Sequence, residues 1–459
     1  MIQAIKRATL RKIINLAATA SDENLIRAVK LGKRFLIRDP DTKRQADAII
    51  EAFKSKHPAI QLVKEAFRRA SPNVKKKMVE NFFVNAGIIG VKQKRKLEKK
   101  LGFRLPFFFV ISPSAKCNLK CVGCYASEYS MDETLPYEEV DRILTEAKQL
   151  GIYFITISGG EPFVYPGILD LFKKHNDMEF QVYTNGTLIN KELARKLAEL
   201  GNVAPAISVE GLEKETDLRR GKGVFKKVME AMDNLKEAGV IFGFSATPTK
   251  KNSEVIMSDE FFDLMIAKGA SFGWFFQYIP IGRKPDVSLM STPEQRNKLR
   301  LKVNEVRNTK PIFLGDFWND GQFVGGCMAG ARPGGYFHIN CQGNVEPCVF
   351  FQFSVDNIKG KKLVDVIQSP FFKAIQEAQP YCDNKNLLTP CAIIDNPEVS
   401  RFLVEKYGAK PSYNGSYDIV RDKNVKKHLD DYSKKMKKMT DSLWENDISK
   451  HHKHWKDKK

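Results

Sequence analysis

Six short apolar runs recur through the middle of the chain, at residues 107–111, 153–158, 180–183, 204–209, 241–246 and 272–279. Each has the length of a strand buried on both faces of a parallel sheet. The stretches between them are amphipathic. At 138–150, 191–200 and 224–238, apolar residues recur at steps of three and four, and each stretch runs into a glycine, Gly151, Gly201 or Gly239, a common helix stop. Six strand-then-helix units in series predict an α/β fold, a partial (β/α)6 TIM-like barrel over residues 106–310. In such barrels the chemistry sits at the C-terminal ends of the strands.

Charge divides the chain differently. It carries 75 Lys and Arg against 54 Asp and Glu, a net +21. Residues 1–105 hold 26 basic and 9 acidic side chains, and residues 421–459 hold 13 and 7, so the body between is nearly neutral. Basic ends seek phosphate, on a lipid surface or on nucleic acid. In the first segment Ile2, Ile5, Ile13 and Leu16 fall near one helical face beside Lys6, Arg7, Arg11 and Lys12. Further on, a 13-residue apolar stretch, 79–91, lies between two lysine clusters. It is too short to span a bilayer, which takes about 20 apolar residues. Two placements are open: in a lipid interface, with lysines meeting head groups, or as a helical subdomain packing Phe82, Phe83, Ile88 and Ile89 onto the barrel. No run is long enough for a transmembrane helix, and the N-terminus lacks a signal-peptide pattern. The C-terminal tail, 401–459, with Lys434–Lys438 and His451–His454, reads as a mobile helix or a disordered segment.

The strongest chemical signal follows the first apolar run. Cys117, Cys121 and Cys124 are spaced C-x3-C-x2-C. Three thiolates on one loop can hold three irons of a 4Fe–4S cube and leave the fourth open to a small molecule. A zinc site would more often pair C-x2-C with a second such pair or with histidines, and no second C-x2-C exists.

This loop resembles the signature of the radical S-adenosylmethionine (SAM) superfamily. The resemblance implies a 4Fe–4S cluster on Cys117, Cys121 and Cys124 whose open iron chelates SAM. It also implies reductive cleavage of SAM to a 5′-deoxyadenosyl radical that takes hydrogen from an inert carbon. Other segments match in order. Gly159-Gly160-Glu161-Pro162 is similar to the family's GGEP motif, which implies that Glu161 binds the SAM amino group. Tyr183-Thr184-Asn185-Gly186 resembles its TNG turn. Ser208 matches a position that touches the SAM ribose or carboxylate, and Arg220, in Asp217-Leu-Arg-Arg-Gly221, is a candidate partner for that carboxylate. Tyr278–Arg283 again resembles the superfamily. Many members carry an aromatic residue just before the third cysteine. Here that place is Gly123, and Tyr125 follows the cysteine as a candidate for packing the adenine.

Five cysteines lie behind the barrel: Cys327, Cys341, Cys348, Cys382 and Cys391. Cys327…Gly343-Asn-Val-Glu-Pro-Cys348 resembles the opening of SPASM and twitch domains, which places an auxiliary iron–sulfur domain at 311–400. The full SPASM cysteine run is missing, so one auxiliary 4Fe–4S cluster is expected, on Cys327, Cys348, Cys382 and Cys391, with Cys341 able to replace one of them. Buried free thiols are the alternative for some of these. No disulfide framework is expected.

The general plan is similar to that of radical SAM proteins that join alkyl tails into membrane-spanning lipids. It implies a lipid chain as substrate, carbon–carbon bond formation, and a cytoplasmic protein peripheral on the inner face of the membrane. A flavodoxin or ferredoxin would supply electrons, and oxygen sensitivity and an anaerobic host are expected. SPASM-type peptide or protein maturation and RNA modification are the other readings. Nucleic acid is less favoured, because the basic region has few interleaved aromatics.

Overall fold

A computed structural model describes residues 21–35, 40–127, 132–381 and 385–449. Strands β1 (Phe108–Ile111), β2 (Phe154–Ile157), β3 (Glu179–Thr184), β4 (Val203–Ser208), β5 (Gly243–Ala246), β6 (Phe272–Phe275) and β7 (Phe313–Asp316) lie side by side in chain order, all parallel. The parallel run thus has a seventh member beyond the six read from the pattern. Only Leu314, between Gly315 and the exposed Phe313, is a buried large apolar residue on it, too little for an apolar run to show. Helices such as Tyr137–Gln149, Lys191–Leu200 and Val224–Glu237 cover the outside and bury one face each.

The C-terminal region joins the same sheet. β8 (His338–Ile339) pairs parallel with β1, and β9 (Asn344–Glu346) pairs antiparallel with β8. β10 (Phe353–Ser354) leaves the sheet, while β11 (Asp356–Asn357) extends it beyond β9. β12 (Lys410–Pro411) pairs with β10. The open side between β7 and β8 is closed by aromatic packing. Phe317 meets Tyr336 at 5.8 Å, Trp318 meets Phe350 at 5.0 Å, and Phe276 meets Phe350 at 6.3 Å.

The basic N-terminal helices cover the floor of the barrel, where the strands begin. Side-chain donors from this region reach carbonyls that end the barrel helices. Asn81 Nδ2 donates to the Met178 carbonyl at 2.9 Å, Asn85 Nδ2 to Asp177 at 2.9 Å, and Gln93 Nε2 to Gln149 at 2.7 Å. Unpaired C-terminal carbonyls are thereby satisfied. Gly90 sits so close to the Gly151 carbonyl that a Cβ would lie 2.3 Å from it.

The apolar stretch at 79–91 is a π-helix, Met78–Gly90, and it packs as a subdomain. Its buried face is not the one the sequence suggested. Val79, Asn81, Val84 and Ala86 face inward, while Phe83 and Ile88 stay exposed and Phe82 is borderline. Phe82 still meets Phe154 of β2 edge-on at 5.6 Å. No described helix is long and apolar enough to cross a membrane. The amphipathic segment at 2–16 lies outside the described residues.

The tail is not a mobile segment up to residue 449. Helix Lys423–Leu443 buries Leu429, Tyr432 and Met436 at helical spacing, and the Ser433 hydroxyl donates to the Asp395 carbonyl. Its lysines mask this apolar stripe in sequence. His451–His454 lie outside the described residues. Asp395 is itself the anchor of a fully buried ion pair. Its two oxygens lie 2.5 and 3.1 Å from Nη1 and Nη2 of Arg296, on helix Pro293–Thr309, and one of them accepts the Cys391 N–H at 3.0 Å. The barrel and the C-terminal region are therefore locked together through Asp395, beside Cys391.

Candidate active site

The cysteine loop leaves β1 and is held by backbone bonds to the segments that follow β2, β4 and β6. Gly160 N–H donates to the Ser114 carbonyl at 2.9 Å, Glu161 N–H to Lys116 at 2.8 Å, Val122 N–H to Arg219 at 2.8 Å, and Arg283 N–H to Cys124 at 3.0 Å. Gly159 and Gly160 permit this contact. A Cβ on Gly160 would lie 2.1 Å from the Lys116 carbonyl. Their smallness serves the approach of strand to loop, beyond the ligand approach expected from the motif.

Cys117, Cys121 and Cys124 open together into one cavity of about 700 Å³ that Gly159, Gly160, Tyr125, Asn185, Ser208 and Arg220 also line. Burial pushes the Cys117 thiol up to about 11, and the other two thiols add to the rise. Burial likewise raises Cys124, against the pull of Arg219 and Arg220. Leu119 N–H already points at Cys117 Sγ, at 3.5 Å. Thiols this crowded are hard to ionise together without a cation, and three softly ligating sulfurs beside a carved cavity fit an iron–sulfur cluster with an open iron.

Glu161 is buried and faces inward to the protein. Its carboxylate accepts from Thr184 Oγ1 and Asn185 N, both at 2.7 Å, and from Phe163 N at 3.2 Å. Burial raises its pKa, opposed by these three donors. Thr184, quoted in the motif but given no role, is thus part of the constellation. Asn185 Nδ2 reaches Asn118 Oδ1 at 2.8 Å and lies 3.9 Å from Cys117 Sγ. Glu161 therefore fixes the turn that carries Asn185 against the cysteine loop.

Arg220 lies 4.0 Å from Cys121 Sγ and is held by Glu210, whose Oε1 accepts from Arg220 Nε at 2.8 Å and Nη2 at 2.5 Å, and from Arg219 Nη1 at 2.5 Å. Glu210 Oε2 accepts Thr247 N–H at 3.0 Å. Sequence reading missed Glu210. Its only signal was its place two residues after Ser208. Removing a fully buried carboxylate that neutralises two guanidiniums leaves uncompensated charge, which costs about 3 kcal/mol or more. We expect Glu210→Ala to lower the melting temperature by several degrees and to raise the KM for SAM at least about tenfold, while Glu210→Gln loses less stability. Thermal denaturation and SAM titration measure both.

The absent aromatic at Gly123 has a structural reason. Tyr278, from the end of β6, occupies its space: a Cβ on Gly123, at φ +63°, would lie 2.7 Å from the Tyr278 ring. Tyr278 lines the cavity and takes the place the missing side chain would fill. The Tyr125 hydroxyl pairs with Ser158 Oγ at 2.7 Å, and its ring meets Phe350 at 5.3 Å. Ser208 Oγ lies 3.4 Å from Ser245 Oγ.

Below this level the same cavity runs down through the barrel. Its walls are mainly apolar, among them Phe108, Phe154, Ala204, Phe272 and Trp274, and it reaches Val63, Phe83 and Phe313 at the floor, which are 50, 44 and 53% exposed. Such barrels are usually filled by bulky side chains. Here Ala204, Ser208 and Ser245 on β4 and β5 leave the interior open. Glu179 is a polar exception. It is buried on the cavity wall, its Oε2 has no hydrogen-bond partner, and burial pushes it up to about 8. An unfolded glutamate titrates near 4.3. Between these values the folded state holds more protons, so stability falls as pH rises from about 4.3 to about 8. We expect Glu179→Gln to flatten that slope and to gain a few kcal/mol at pH 8 relative to the parent, read from urea unfolding at pH 5 and pH 8.

A second set of thiols gathers behind the barrel. Burial raises all three of Cys327, Cys348 and Cys391; Cys327 and Cys391 raise Cys348 further, and Cys327 adds to the rise of Cys391. Each also accepts a backbone N–H from two or three residues on, Ala329 at 3.5 Å, Phe351 at 3.2 Å and Ile393 at 3.3 Å. These turns aim donors at sulfur, as a cluster requires. Cys382 lies outside the described residues. Cys341 does not join this set. It packs with Ala115 and Ala126 beside the first cysteine loop, and its sulfur lies 3.9 Å from Glu133 Oε2. The hairpin between β8 and β9 carries it away from the other thiols.

Residues 111–254 match the family model described as the radical SAM superfamily, and residues 327–392 match SPASM, an iron–sulfur cluster-binding domain. Fe-coproporphyrin III synthase of Methanosarcina barkeri is 32% identical over 173 residues, 37% of this chain and 43% of that protein. Mycofactocin maturase MftC of Mycolicibacterium smegmatis is 31% identical over 247 residues, 51% of this chain and 62% of that protein. The matched region is thus less than two thirds of either relative's length. The crystal structure of Streptococcus suis SuiB bound to precursor peptide SuiA aligns with a TM-score of 0.51 at 20% identity, covering 72% of this chain and 80% of that one, a likeness of fold. The cysteine loop, the cavity and these matches agree: the chain belongs to the radical SAM superfamily and carries a C-terminal SPASM domain, an iron–sulfur cluster-binding domain.

Proposed function

We propose that the protein removes a hydrogen atom from an inert C–H bond in an apolar part of its substrate, drawn into the barrel below the cysteine loop. The cluster and SAM supply a 5′-deoxyadenosyl radical when bound, and the chain's own residues position and enclose it. Cys117, Cys121 and Cys124 would hold the cluster. Asn185, Ser208, Arg220, Tyr125 and Tyr278 would line the SAM subsite, with Glu161 and Glu210 orienting them. The observation that carries the reading is the apolar cavity continuous with the three thiols. Enclosure of this kind excludes water from a reactive radical. A flavodoxin or ferredoxin is the natural electron source.

The relatives support a peptide or protein substrate, since one of them is named a maturase. On that reading an apolar side chain enters from the cysteine end. One observation favours a membrane lipid chain instead. The cavity reaches exposed apolar side chains on the barrel floor, beneath helices that contain Lys75–Lys77 and Lys92–Lys100. A hydrocarbon chain could enter there while lysines meet its head group, and carbon–carbon coupling of such chains would follow from hydrogen removal.

The test is anaerobic expression of the intact chain beside Cys124→Ala, with mass spectrometry of both the lipid and the peptide–protein fractions. Coupled or desaturated lipids that need Cys124 establish the lipid reading. A cysteine-dependent mass change confined to peptides or proteins establishes the maturase reading. No change in either fraction, with cluster loaded and SAM cleaved, overturns the proposal of an apolar C–H substrate.

A further inference from the structure

The lower cavity carries unpaired polar atoms on walls that are otherwise apolar. On β3, Phe180 packs outward against Phe172 at 4.7 Å, so by alternation Glu179, Gln181 and Tyr183 face the cavity, and all three line it. Across the barrel, Phe272, Trp274 and Phe276 line the opposite wall at the same two-residue step. The rings of Tyr183 and Phe276 meet at 5.4 Å, which sets the level of one wall against the other. Two residues down each strand, Trp274 comes level with Gln181. Glu179 lies one such step lower, about 13 Å along β3 from Tyr183. Glu179 is 3% exposed and its Oε2 has no hydrogen bond; Trp274 Nε1 is buried and has none either. Gln181 is engaged, its Nε2 donating to the Tyr183 hydroxyl at 3.2 Å. Lys77, the cation whose field reaches Glu179, is spent elsewhere, its Nζ donating to the Asn176 carbonyl at 2.8 Å.

We propose that Glu179 and Trp274 form a polar subsite in the lower cavity that donates hydrogen bonds to an uncharged carbonyl group, as esters and amides carry, on the apolar part of the substrate. The inference rests on the reading that this part enters the barrel. Buried polar groups are costly to leave unpaired, and a ligand that pairs them recovers the cost. Burial pushes the Glu179 carboxyl up to about 8, so at neutral pH it offers an O–H, and the indole offers an N–H. Two donors call for an acceptor, and the apolar walls disfavour a charged one. Holding a carbonyl at this depth fixes the chain along the barrel, and so selects which carbon lies beneath the cysteine loop.

The experiment titrates four probes into the full-length protein at pH 7 by ligand-observed NMR: methyl hexanoate, N-methylhexanamide, hexylamine and heptane. The reading is the change between parent and variant, since the probes differ in their own hydration. Glu179→Leu combined with Trp274→Phe should weaken the ester or the amide at least about tenfold, as expected for two lost hydrogen bonds, and leave heptane as tight or tighter. Glu179→Gln keeps a donor and should retain most of the carbonyl binding. Trp274→Phe alone carries the test where the leucine variant does not fold. A loss confined to the ester assigns the carbonyl to a lipid, and one confined to the amide assigns it to a peptide. Ester and amide affinities unchanged in the folded double variant overturn the subsite, and its unpaired atoms are then served by water. A loss confined to hexylamine overturns the uncharged ligand. If no probe binds the parent, or Ala204→Phe, opposite Gln181 on β4, leaves their binding unchanged, the entry of an apolar chain into the lower barrel fails first, a separate outcome that takes this inference with it.

Discussion

Reconstituted Cys124→Ala protein is expected to bind about four fewer irons per chain than the intact protein, and to release no 5′-deoxyadenosine from SAM above background. The loop should survive the substitution. Its anchors are the backbone bonds from Arg283 to the Cys124 carbonyl, from Val122 to Arg219 and from Glu161 to Lys116, and none of them uses a thiol. Loss of iron would then report a lost ligand, not a collapsed loop. Two companions make the result specific. Cys341→Ala should keep its full iron content, because Cys341 packs beside Ala115 and Ala126, away from Cys327, Cys348 and Cys391. Cys348→Ala should lose the auxiliary iron and keep SAM cleavage in the absence of substrate. Iron content and 5′-deoxyadenosine release, measured on all three, decide the assignment. A Cys341→Ala variant that lost iron would place this thiol among the auxiliary ligands after all.

The parts of this fold that sequence reveals are those set by local pattern. β1 to β6 each coincide with an apolar run, and the cysteine triplet and the Gly159–Glu161 turn carry their spacing in the chain itself. The parts that stayed hidden depend on partners distant in sequence. Glu210 reads as an ordinary loop acidic residue until Arg219 and Arg220 fold back onto it. Tyr278 lies more than 150 residues from Gly123, so nothing local says that one fills the space of the other. β8 is two residues long and exists only because β1 offers it an edge. Helix Lys423–Leu443 was hidden for the opposite reason: its many lysines outweigh the stripe of Leu429, Tyr432 and Met436 that docks it.

Ala204→Phe should separate the two ends of the cavity, and its effect on product formation should be large. Ala204 lies on β4 opposite Gln181 of β3, and both line the cavity. At about 3.3 Å per residue, it sits roughly 13 Å along the strand from Ser208, the β4 residue nearest the SAM subsite. A phenyl ring at 204 would project into open space between Gln181 and the aromatic wall of Phe272 and Trp274. Overpacking a filled core costs about 1–3 kcal/mol, but here the ring occupies a void, so we expect near-parental stability. Cleavage of SAM without substrate should also stay within about twofold, because the cysteines, Asn185 and Arg220 are untouched. Product formation from the natural substrate should fall at least about tenfold, equivalent to about 1.4 kcal/mol of lost transition-state stabilisation. If product formation is unimpaired while the protein is folded and loaded, substrate stays at the cysteine end and the lower cavity is not its path. If SAM cleavage falls in parallel, the cofactor reaches deeper than Ser208, and the walls around Ala204 belong to its own site.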